Sequence, residues 1–71
     1  MDDKEYLIKL GKRIKLLRQE KKMRQIDLSE KIGIEDSALR RIESGRVNST
    51  INMLRKIAKG LEMDVIDLLK V

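Results

Sequence analysis

Three residue types on which many small proteins depend are missing from this sequence. Its 71 residues include no cysteine, no histidine and no proline, and a single tyrosine is the only aromatic residue. Without cysteine there is no disulfide framework. Without cysteine or histidine we expect neither an ordinary zinc site nor a nucleophile–histidine pair. The composition therefore predicts no catalytic residue, no metal site and no cofactor.

Long apolar runs are also missing. The longest, Tyr6-Leu7-Ile8, is far shorter than the roughly 20 residues that cross a bilayer, and no apolar signal segment follows the start. We therefore expect a cytoplasmic protein. A basic first helix could lie on a membrane surface, but its apolar side is needed by the core and it carries no Trp or Phe. Membrane binding is the least favoured interpretation.

Positive charge is what the sequence has in excess. Seventeen Lys and Arg residues against twelve Asp and Glu residues give a formal net charge of +5. The stretch from Lys9 to Arg24 contains eight basic residues and one acidic residue, Glu20. Such an imbalance favours a polyanionic partner, and nucleic acid is favoured over a membrane.

The apolar residues recur at helical spacing and predict an all-α fold of five helices. In the first segment, Leu7, Leu10, Ile14 and Leu17 follow one another at intervals of three and four residues, which places them on one side of a helix. Sustained two-residue alternation, which would indicate strands, is absent. We expect a single domain over residues 1–71, with helices at about Asp3–Lys21, Gln25–Ile32, Asp36–Ser44 and Ile51–Gly60 and a short helix after Asp64.

The predicted helix ends carry residues suited to starting or stopping a helix. Gly33 and Gly45 follow the second and third helices, where a positive φ is needed. Ser49 or Thr50 can cap the fourth helix, and Asp64 can cap the fifth. The residues expected to face the core, fully or in part, on the second and fourth helices are Ile26, Leu28, Ile32, Ile51, Leu54, Ile57, Ala58 and Leu61.

Residues 25–44 have the spacing of a helix-turn-helix motif. The small Ser29 stands four residues before Gly33, so that the two helices can approach closely and the glycine can take the left-handed turn. Ile34 and Leu39 then tie the second helix of the motif to the core. Each of these residue types has a steric reason to be where it is.

The whole chain resembles the phage-repressor and Cro-like family of helix-turn-helix proteins. The resemblance lies in Gln25 opening the motif, in Ile42-Glu43-Ser44-Gly45-Arg46 closing it and in the helix Ile51 to Leu61 that follows. Where Lys22 and Arg24 stand, the family commonly has glycine and a hydroxyl residue. The resemblance implies a compact lambda-repressor-like domain that acts as a sequence-specific transcriptional regulator, with a repressor favoured, bound as a dimer to a palindromic site on double-stranded DNA.

In such a motif the recognition helix reads base edges with its N-terminal residues and with one residue a turn later. This geometry, matched to the family pattern, selects Asp36, Ser37 and Arg41, with Arg40 and Glu35 as flanking candidates. Arg41 can bond O6 and N7 of guanine together. Asp36 can accept a hydrogen bond from cytosine N4, but capping of the helix is the favoured interpretation for it.

Phosphate contacts are expected from groups around the recognition helix. The candidates are Gln25 with the start of the second helix, Arg46 in the following loop, and Lys12, Arg24 and Asn48 beside them.

Arg18 and Glu43 differ from these candidates because the resemblance implies that they pair with each other as a structural ion pair.

The last two helices carry more apolar side chains than one small core can cover. The surplus residues are Met53, Val65 and Leu69. We therefore expect a homodimer that closes through them.

Two other classes of function are weighed against DNA binding. Enzyme activity is disfavoured because there is no histidine, no cysteine and no phosphate-cradling glycine loop. A protein-interaction module, such as an antitoxin-like partner of a second protein, stays open as the alternative. The sequence does not decide between repressor and activator, and it identifies neither the operator nor an inducer.

Overall fold

The computed structural model describes residues 2–71, and within them the chain forms five α-helices and no strand. The predicted all-α, five-helix architecture is confirmed. Two helices end one residue earlier than expected, at Glu20 and Glu43. The helices are α1 (Asp3–Glu20), α2 (Gln25–Ile32), α3 (Asp36–Glu43), α4 (Ile51–Gly60) and α5 (Val65–Leu68). No helix of the described chain is both long enough and apolar enough to cross a membrane.

One apolar core joins all five helices. Because leucine and isoleucine recur every three or four residues, each helix turns one apolar side inward. Ile26 and Ile51, expected to face the core, are instead exposed, and Ile51 is the first residue of α4. The buried apolar residues are Leu10, Ile14, Leu28, Leu39, Ile42, Leu54, Ile57, Ala58, Leu61 and Leu68.

A glycine inside α1 brings that helix unusually close to α3. A Cβ atom at Gly11 would overlap the backbone carbonyl groups of Ile42 and Glu43. Gly11 is therefore the residue at which the C-terminal end of α3 rests on α1.

The turn inside the motif has the predicted geometry. Gly33 adopts φ +74° and ends α2, and the Ile34 N–H donates to the Ser29 carbonyl at 3.0 Å, as in a Schellman-type helix end. Ser29 is 1% exposed, in keeping with the close approach of the two helices. Gly45 also has a positive φ, of +75°, and packs against Ile8.

The helix starts settle two open points. Thr50, rather than Ser49, caps α4, because its side chain accepts a hydrogen bond from the Met53 N–H at 3.1 Å. Asp64 stands at the capping position of α5, but its side chain makes no capping hydrogen bond.

The C-terminal end of the described chain is held by side chains from α1. The guanidinium of Arg13 donates to the carbonyl groups of Asp67 and Leu68, the shortest of these bonds being 2.8 Å. The Tyr6 hydroxyl donates to the Leu69 carbonyl at 2.9 Å. Since the last carbonyl groups of a helix lack partners within it, these bonds stabilise the four-residue α5.

Candidate nucleic-acid interface

A buried polar cluster joins α1, α2 and α3 behind the candidate interface. Arg18 donates to both carboxylate oxygens of Glu43, from Nε to Oε2 at 2.8 Å and from Nη2 to Oε1 at 2.9 Å. Its Nη1 donates to the Met23 carbonyl at 2.7 Å, and Gln25 Nε2 donates to Glu43 Oε1 at 3.1 Å. The structure thus contains the Arg18–Glu43 pair that the resemblance implies and adds two partners to it.

This cluster satisfies its own polar atoms. The side chains of Arg18 and Glu43 are 7% and 3% exposed, and no buried side-chain polar atom within residues 2–71 lacks a hydrogen-bond partner. A buried bidentate ion pair has a fixed geometry because both charges lose their hydration and keep only these partners. It therefore holds the end of α3 in one position.

Helix α3 has one buried side and one exposed side. Leu39, Ile42 and Glu43 are buried, whereas the arginines Arg40 and Arg41 are exposed. On the exposed side lies a depression of about 320 Å³. Its lining residues are Ser37, Arg40, Arg41, Ser44 and Arg46.

The side chains on this exposed surface differ in their partners. Arg40 Nη2 lies 3.6 Å from the Asp36 carboxylate, one helical turn away, and the Ser37 hydroxyl donates to the Glu35 carboxylate at 3.4 Å. Within residues 2–71, neither Arg41 nor Arg46 has a carboxylate within ion-pair distance. Two guanidinium groups of the depression therefore keep their charge available for an anion.

Asp36 does not play the structural role that was favoured for it. Glu35, not Asp36, stands at the capping position of α3, and no side chain caps that helix. Asp36 is the first residue within the helix, where its carboxylate cannot bend back to the free N–H groups as a capping residue does. The expectation that it caps α3 is wrong, and its carboxylate pairs with Arg40 instead.

The start of α2 carries two of the phosphate candidates, and both have intramolecular partners. Gln25 uses its amide N–H to hold Glu43. The Arg24 backbone N–H donates to Asp27 Oδ2 at 2.8 Å, and its guanidinium lies 3.0 Å from Asp27 Oδ1. Asp27 thus caps the start of α2. A hydroxyl residue at position 24 would share this role with it.

This pairing changes the acidity of both groups. The hydrogen bond from the Arg24 side chain, followed by that from its backbone N–H, holds the pKa of Asp27 below its ordinary value. The same side-chain bond and the negative charge of Asp27 raise the pKa of Arg24. Because the Arg24 side chain is 79% exposed, it can still exchange this partner for a phosphate.

The remaining phosphate candidates lie apart from the α3 depression. Lys12 is exposed on α1, next to the glycine on which α3 rests. Asn48 lines a separate depression of about 180 Å³ with Asp3, Tyr6 and Leu7. The structure therefore brings Arg46 together with the base-reading candidates and leaves Asn48 beside the start of α1.

The three residues expected at a dimer contact are less exposed than their sequence pattern predicts. Met53, Val65 and Leu69 each pack in part against the core. Greater exposure is found at Ile66, which is 70% exposed on α5, and at Ile51, which is 56% exposed on α4. The most exposed apolar side chains of these two helices are thus Ile51 and Ile66 and not the expected ones.

Four residues that matter to the site were not identified from the sequence. The end of α3 contacts Gly11, and Arg13 binds the end of α5. The Met23 carbonyl accepts a hydrogen bond from Arg18, and Asp27 caps α2. For Asp27 a signal existed, since an acidic residue three positions after the capping residue, here Arg24, can form the second half of a capping box. For Gly11 the signal was a glycine inside an otherwise strong helix, which marks a close approach.

Most of this chain matches the model of a known protein family. The family model described as "Helix-turn-helix" matches residues 14–68. The immunity repressor protein of Bacillus phage phi105 is 38% identical over 56 residues, which is 79% of this chain and 39% of the repressor. The chain thus spans well under half the length of that relative.

Solved structures share the same arrangement of helices. The restriction–modification controller protein C.AhdI from Aeromonas hydrophila superposes with a TM-score of 0.85 and 29% identity, over 87% of this chain and 94% of that one. A variant of the restriction–modification controller protein C.Esp1396I superposes with a TM-score of 0.81 and 36% identity, over 90% of this chain and 85% of that one. The clp gene regulator ClgR from C. glutamicum gives 0.86 at 23% identity, over 90% and 82%, and supports the fold alone.

Proposed function

The chain belongs to the helix-turn-helix family of phage-repressor and Cro-like regulators, and from that membership we propose its specific action. It binds duplex DNA as a homodimer on a palindromic operator, with α3 of each subunit in the major groove. The relatives named as repressor and controller proteins support a role in transcription, with repression as the first expectation. The protein would act in the cytoplasm, without catalysis of its own.

The exposed side of α3 is the observation that carries this proposal. Arg40, Arg41 and Arg46 line one depression, while the opposite side of the helix is fixed by apolar packing and by the Arg18–Glu43 pair. A rigid helix with a basic, polar outer side suits the major groove, which admits one α-helix. Because packing of the buried side fixes the orientation of α3, the side chains on its exposed side can contact defined base edges.

We assign the base contacts to Arg41, Ser37 and Asp36, with Arg40 beside them. Arg41 has no acidic partner in the described chain and can donate to O6 and N7 of guanine in a bidentate manner. Arg40 and Asp36 hold each other, so a contact by either requires the pair to rearrange.

The phosphate contacts are assigned to groups around α3. Arg46 follows the C-terminal end of α3, and Gln25, which bonds Glu43 at that end, lies with Arg24 and the free N–H groups of the first turn of α2. Lys12 and Asn48 are further candidates. These contacts set the register of α3 on the duplex but do not read sequence.

The size of the molecule supports a dimer on DNA. The chain measures 31 × 23 × 21 Å along its principal axes, and half-sites one helical turn apart are separated by about 34 Å. Two copies side by side can therefore place their α3 helices in successive major grooves.

We further propose that residues 1–71 work as one domain, because Tyr6 and Arg13 of α1 bind the backbone of residues 67–69.

Selection of bound sequences from a random duplex library tests the proposal. We expect a palindromic consensus with equivalent half-sites. On that consensus, Arg41→Ala should weaken binding by about 1–3 kcal/mol and relax the preference at one base pair per half-site. Arg46→Ala should instead weaken binding to all sequences and lower the slope of log affinity against log salt by about one phosphate contact.

A matched control separates these effects from the loss of one charge. Lys9→Ala removes an exposed positive charge from the side of α1 opposite to Gly11 and α3, and it should change neither the consensus nor the salt slope appreciably. If Arg41→Ala lost equal affinity for specific and random DNA, Arg41 would be a phosphate contact. If the library yielded no enriched sequence, the proposed function itself would be wrong.

A further inference from the structure

A second basic surface lies between the C-terminal ends of α2 and α4. A groove of about 430 Å³ is lined there by Lys31, Ile32, Lys56, Lys59, Gly60 and Glu62. None of these residues lines the α3 depression, and Lys31 lies at the opposite end of α2 from Gln25. We infer that this groove, called the lysine groove below, docks a short acidic segment of a partner protein that also carries an apolar side chain.

The floor and the rim of the lysine groove differ in character. Gly60 has no side chain and packs directly against Ile32, whose side chain is half-buried. The rim is formed by the three lysines and by Glu62, and two of the lysines, Lys56 and Lys59, belong to no ion pair within residues 2–71. An apolar floor inside a positively charged rim matches an apolar side chain flanked by carboxylates.

One lysine of the rim is held in place by the fold. Lys31 Nζ donates to the Gly60 carbonyl at 2.8 Å and lies 3.5 Å from the Glu62 carboxylate. It thereby closes the C-terminal end of α4 and joins it to α2. Glu62 takes a positive φ of +59°, a conformation that residues with a side chain rarely adopt. The rim therefore combines one ammonium group that is held by the fold with two that have no ion-pair partner within residues 2–71.

These features favour a protein segment over a second stretch of DNA. A phosphodiester backbone has no apolar group to place over Ile32, whereas a peptide can present carboxylates to Lys56 and Lys59 together with an apolar side chain. The lysine groove and the α3 depression share no lining residue.

The test uses a fluorescently labelled ten-residue peptide of Asp, Glu and Leu, together with the same peptide in which Asn and Gln replace the acidic residues. We expect the acidic peptide to bind, and backbone amide resonances of Lys31, Ile32 and Lys56 to Glu62 to shift on its addition. The double variant Lys56→Gln/Lys59→Gln should bind about three- to thirtyfold more weakly, as expected for two exposed ion pairs. Lys31 is not varied because it supports the fold.

The control variant Lys9→Gln/Lys15→Gln removes the same charge from exposed positions on α1 and should bind the peptide like the parent. Equal losses in both double variants, resonance shifts spread over all lysines, or no binding of the acidic peptide would overturn the inference. So would a loss of affinity for duplex DNA that is larger for Lys56→Gln/Lys59→Gln than for the control, since the groove would then be a DNA contact. The peptide and duplex measurements are separate, so failure of this inference leaves the proposed function standing.

Discussion

Arginine has two opposite roles in this molecule, and the surroundings of each residue decide which role it has. Arg18 is 6% exposed and is held by Glu43, Met23 and Gln25 in one connected set of hydrogen bonds. Arg41, on the neighbouring helix, is exposed and has no carboxylate partner within residues 2–71. A buried guanidinium needs its partners in order to be tolerated, whereas an exposed one without a partner is available to a ligand.

Removing the charge from the buried pair should destabilise the fold. In Glu43→Gln, the amide can accept one bond from Arg18, but the guanidinium then keeps an uncompensated charge while 7% exposed. We expect a loss of about 3 kcal/mol in the free energy of unfolding, measured by urea denaturation. Glu20→Gln, which removes an exposed carboxylate from the last turn of α1, should change stability by less than about 0.5 kcal/mol. Equal stability of Glu43→Gln and the parent would contradict the structural role of the pair.

Gly11 offers a test in which the sign of the effect is informative. Inside an ordinary helix, replacing glycine by alanine stabilises by roughly 0.5–1 kcal/mol. At Gly11 the added Cβ would overlap the backbone of Glu43 and Ile42, so Gly11→Ala should instead destabilise by about 1–3 kcal/mol. Thermal and urea unfolding measure the change, and Lys12→Ala, at the next and exposed position, is the control. A stabilised Gly11→Ala variant would show that α1 and α3 are not in backbone contact.

At the scale of the helices, the start of α2 depends on a single carboxylate. Because the pKa of Asp27 is lowered in the folded protein by its bonds to Arg24, Asp27 contributes stability above its unfolded pKa of about 3.9. That contribution is lost as the pH falls through the lower, folded pKa. Asp27→Asn should therefore be less stable than the parent at pH 7, and the difference should vanish in strong acid.

Urea unfolding of both proteins between pH 7 and pH 2 measures this difference. Glu30→Gln, which removes an exposed negative charge from the same helix, corrects for the general effect of charge. A difference between parent and Asp27→Asn that did not change with pH would exclude capping by the ionised carboxylate.

The turn after α1 carries strain that a glycine would relieve. Lys22 has φ +58°, and the Met23 N–H donates to the Arg18 carbonyl at 3.1 Å, as at other Schellman-type helix ends. The left-handed conformation costs a residue with a side chain roughly 1–2 kcal/mol, and glycine removes this strain. Against this gain, the greater freedom of glycine in the unfolded chain costs roughly 0.4–1 kcal/mol. We expect Lys22→Gly to stabilise by roughly 0.5–1 kcal/mol in thermal unfolding. Lys21→Gly, at a negative φ of −89°, should destabilise, and the opposite order would refute the argument.

Most of the helical layout could be predicted from the sequence because it depends on local spacing. The intervals between Leu7, Leu10, Ile14 and Leu17 define α1, and the glycines at 33 and 45 adopt the positive φ that their positions predict. The motif at 25–44 was recognisable because its small residue and its turn glycine have separate steric functions. These features require no knowledge of which helices pack together.

What could not be predicted depends on contacts between distant residues. Arg13 reaches carbonyl groups of α5 more than fifty residues away along the chain, and nothing in the local pattern distinguishes it from Lys12. The half-buried state of Val65 and Leu69 likewise depends on where α5 packs. Asp36 was misassigned because α3 begins one residue earlier than a cap at Asp36 would require, so the position of a helix start decides the role of its first carboxylate.

At the scale of the whole molecule, hydrogen bonds join α1 to the backbone around the end of α5, and several large apolar side chains stay exposed. Tyr6 binds the Leu69 backbone, and Arg13 binds that of Asp67. A domain of this size buries only about 60% of the surface of its unfolded chain, so association can add to its stability. Among the exposed apolar residues, Ile66 at 70% is the most exposed, and it lies on the helix through which we propose that the homodimer closes.

The proposed dimer should therefore depend on Ile66 more than on the half-buried residues beside it. In Ile66→Lys, a two-fold contact would bury the new charge once in each subunit, so the dissociation constant should rise at least about 100-fold while the monomer keeps its fold. Sedimentation over a concentration series, with and without a duplex carrying the selected site, measures this change. Leu16→Lys, at a side chain 56% exposed on α1, is the matched control and should associate like the parent.

Changing Val65 and Leu69 together to Lys should also yield monomers, but with a loss of stability, because both side chains pack in part against the core. A comparison of association with unfolding in the two variants separates the contact between subunits from the packing within one. A parent protein that stays monomeric at high concentration and on DNA would refute the dimer. If Ile66→Lys remained dimeric while Leu16→Lys became monomeric, the contact would lie on α1 instead of α5, and the two recognition helices would be presented to the duplex from a different side of the domain.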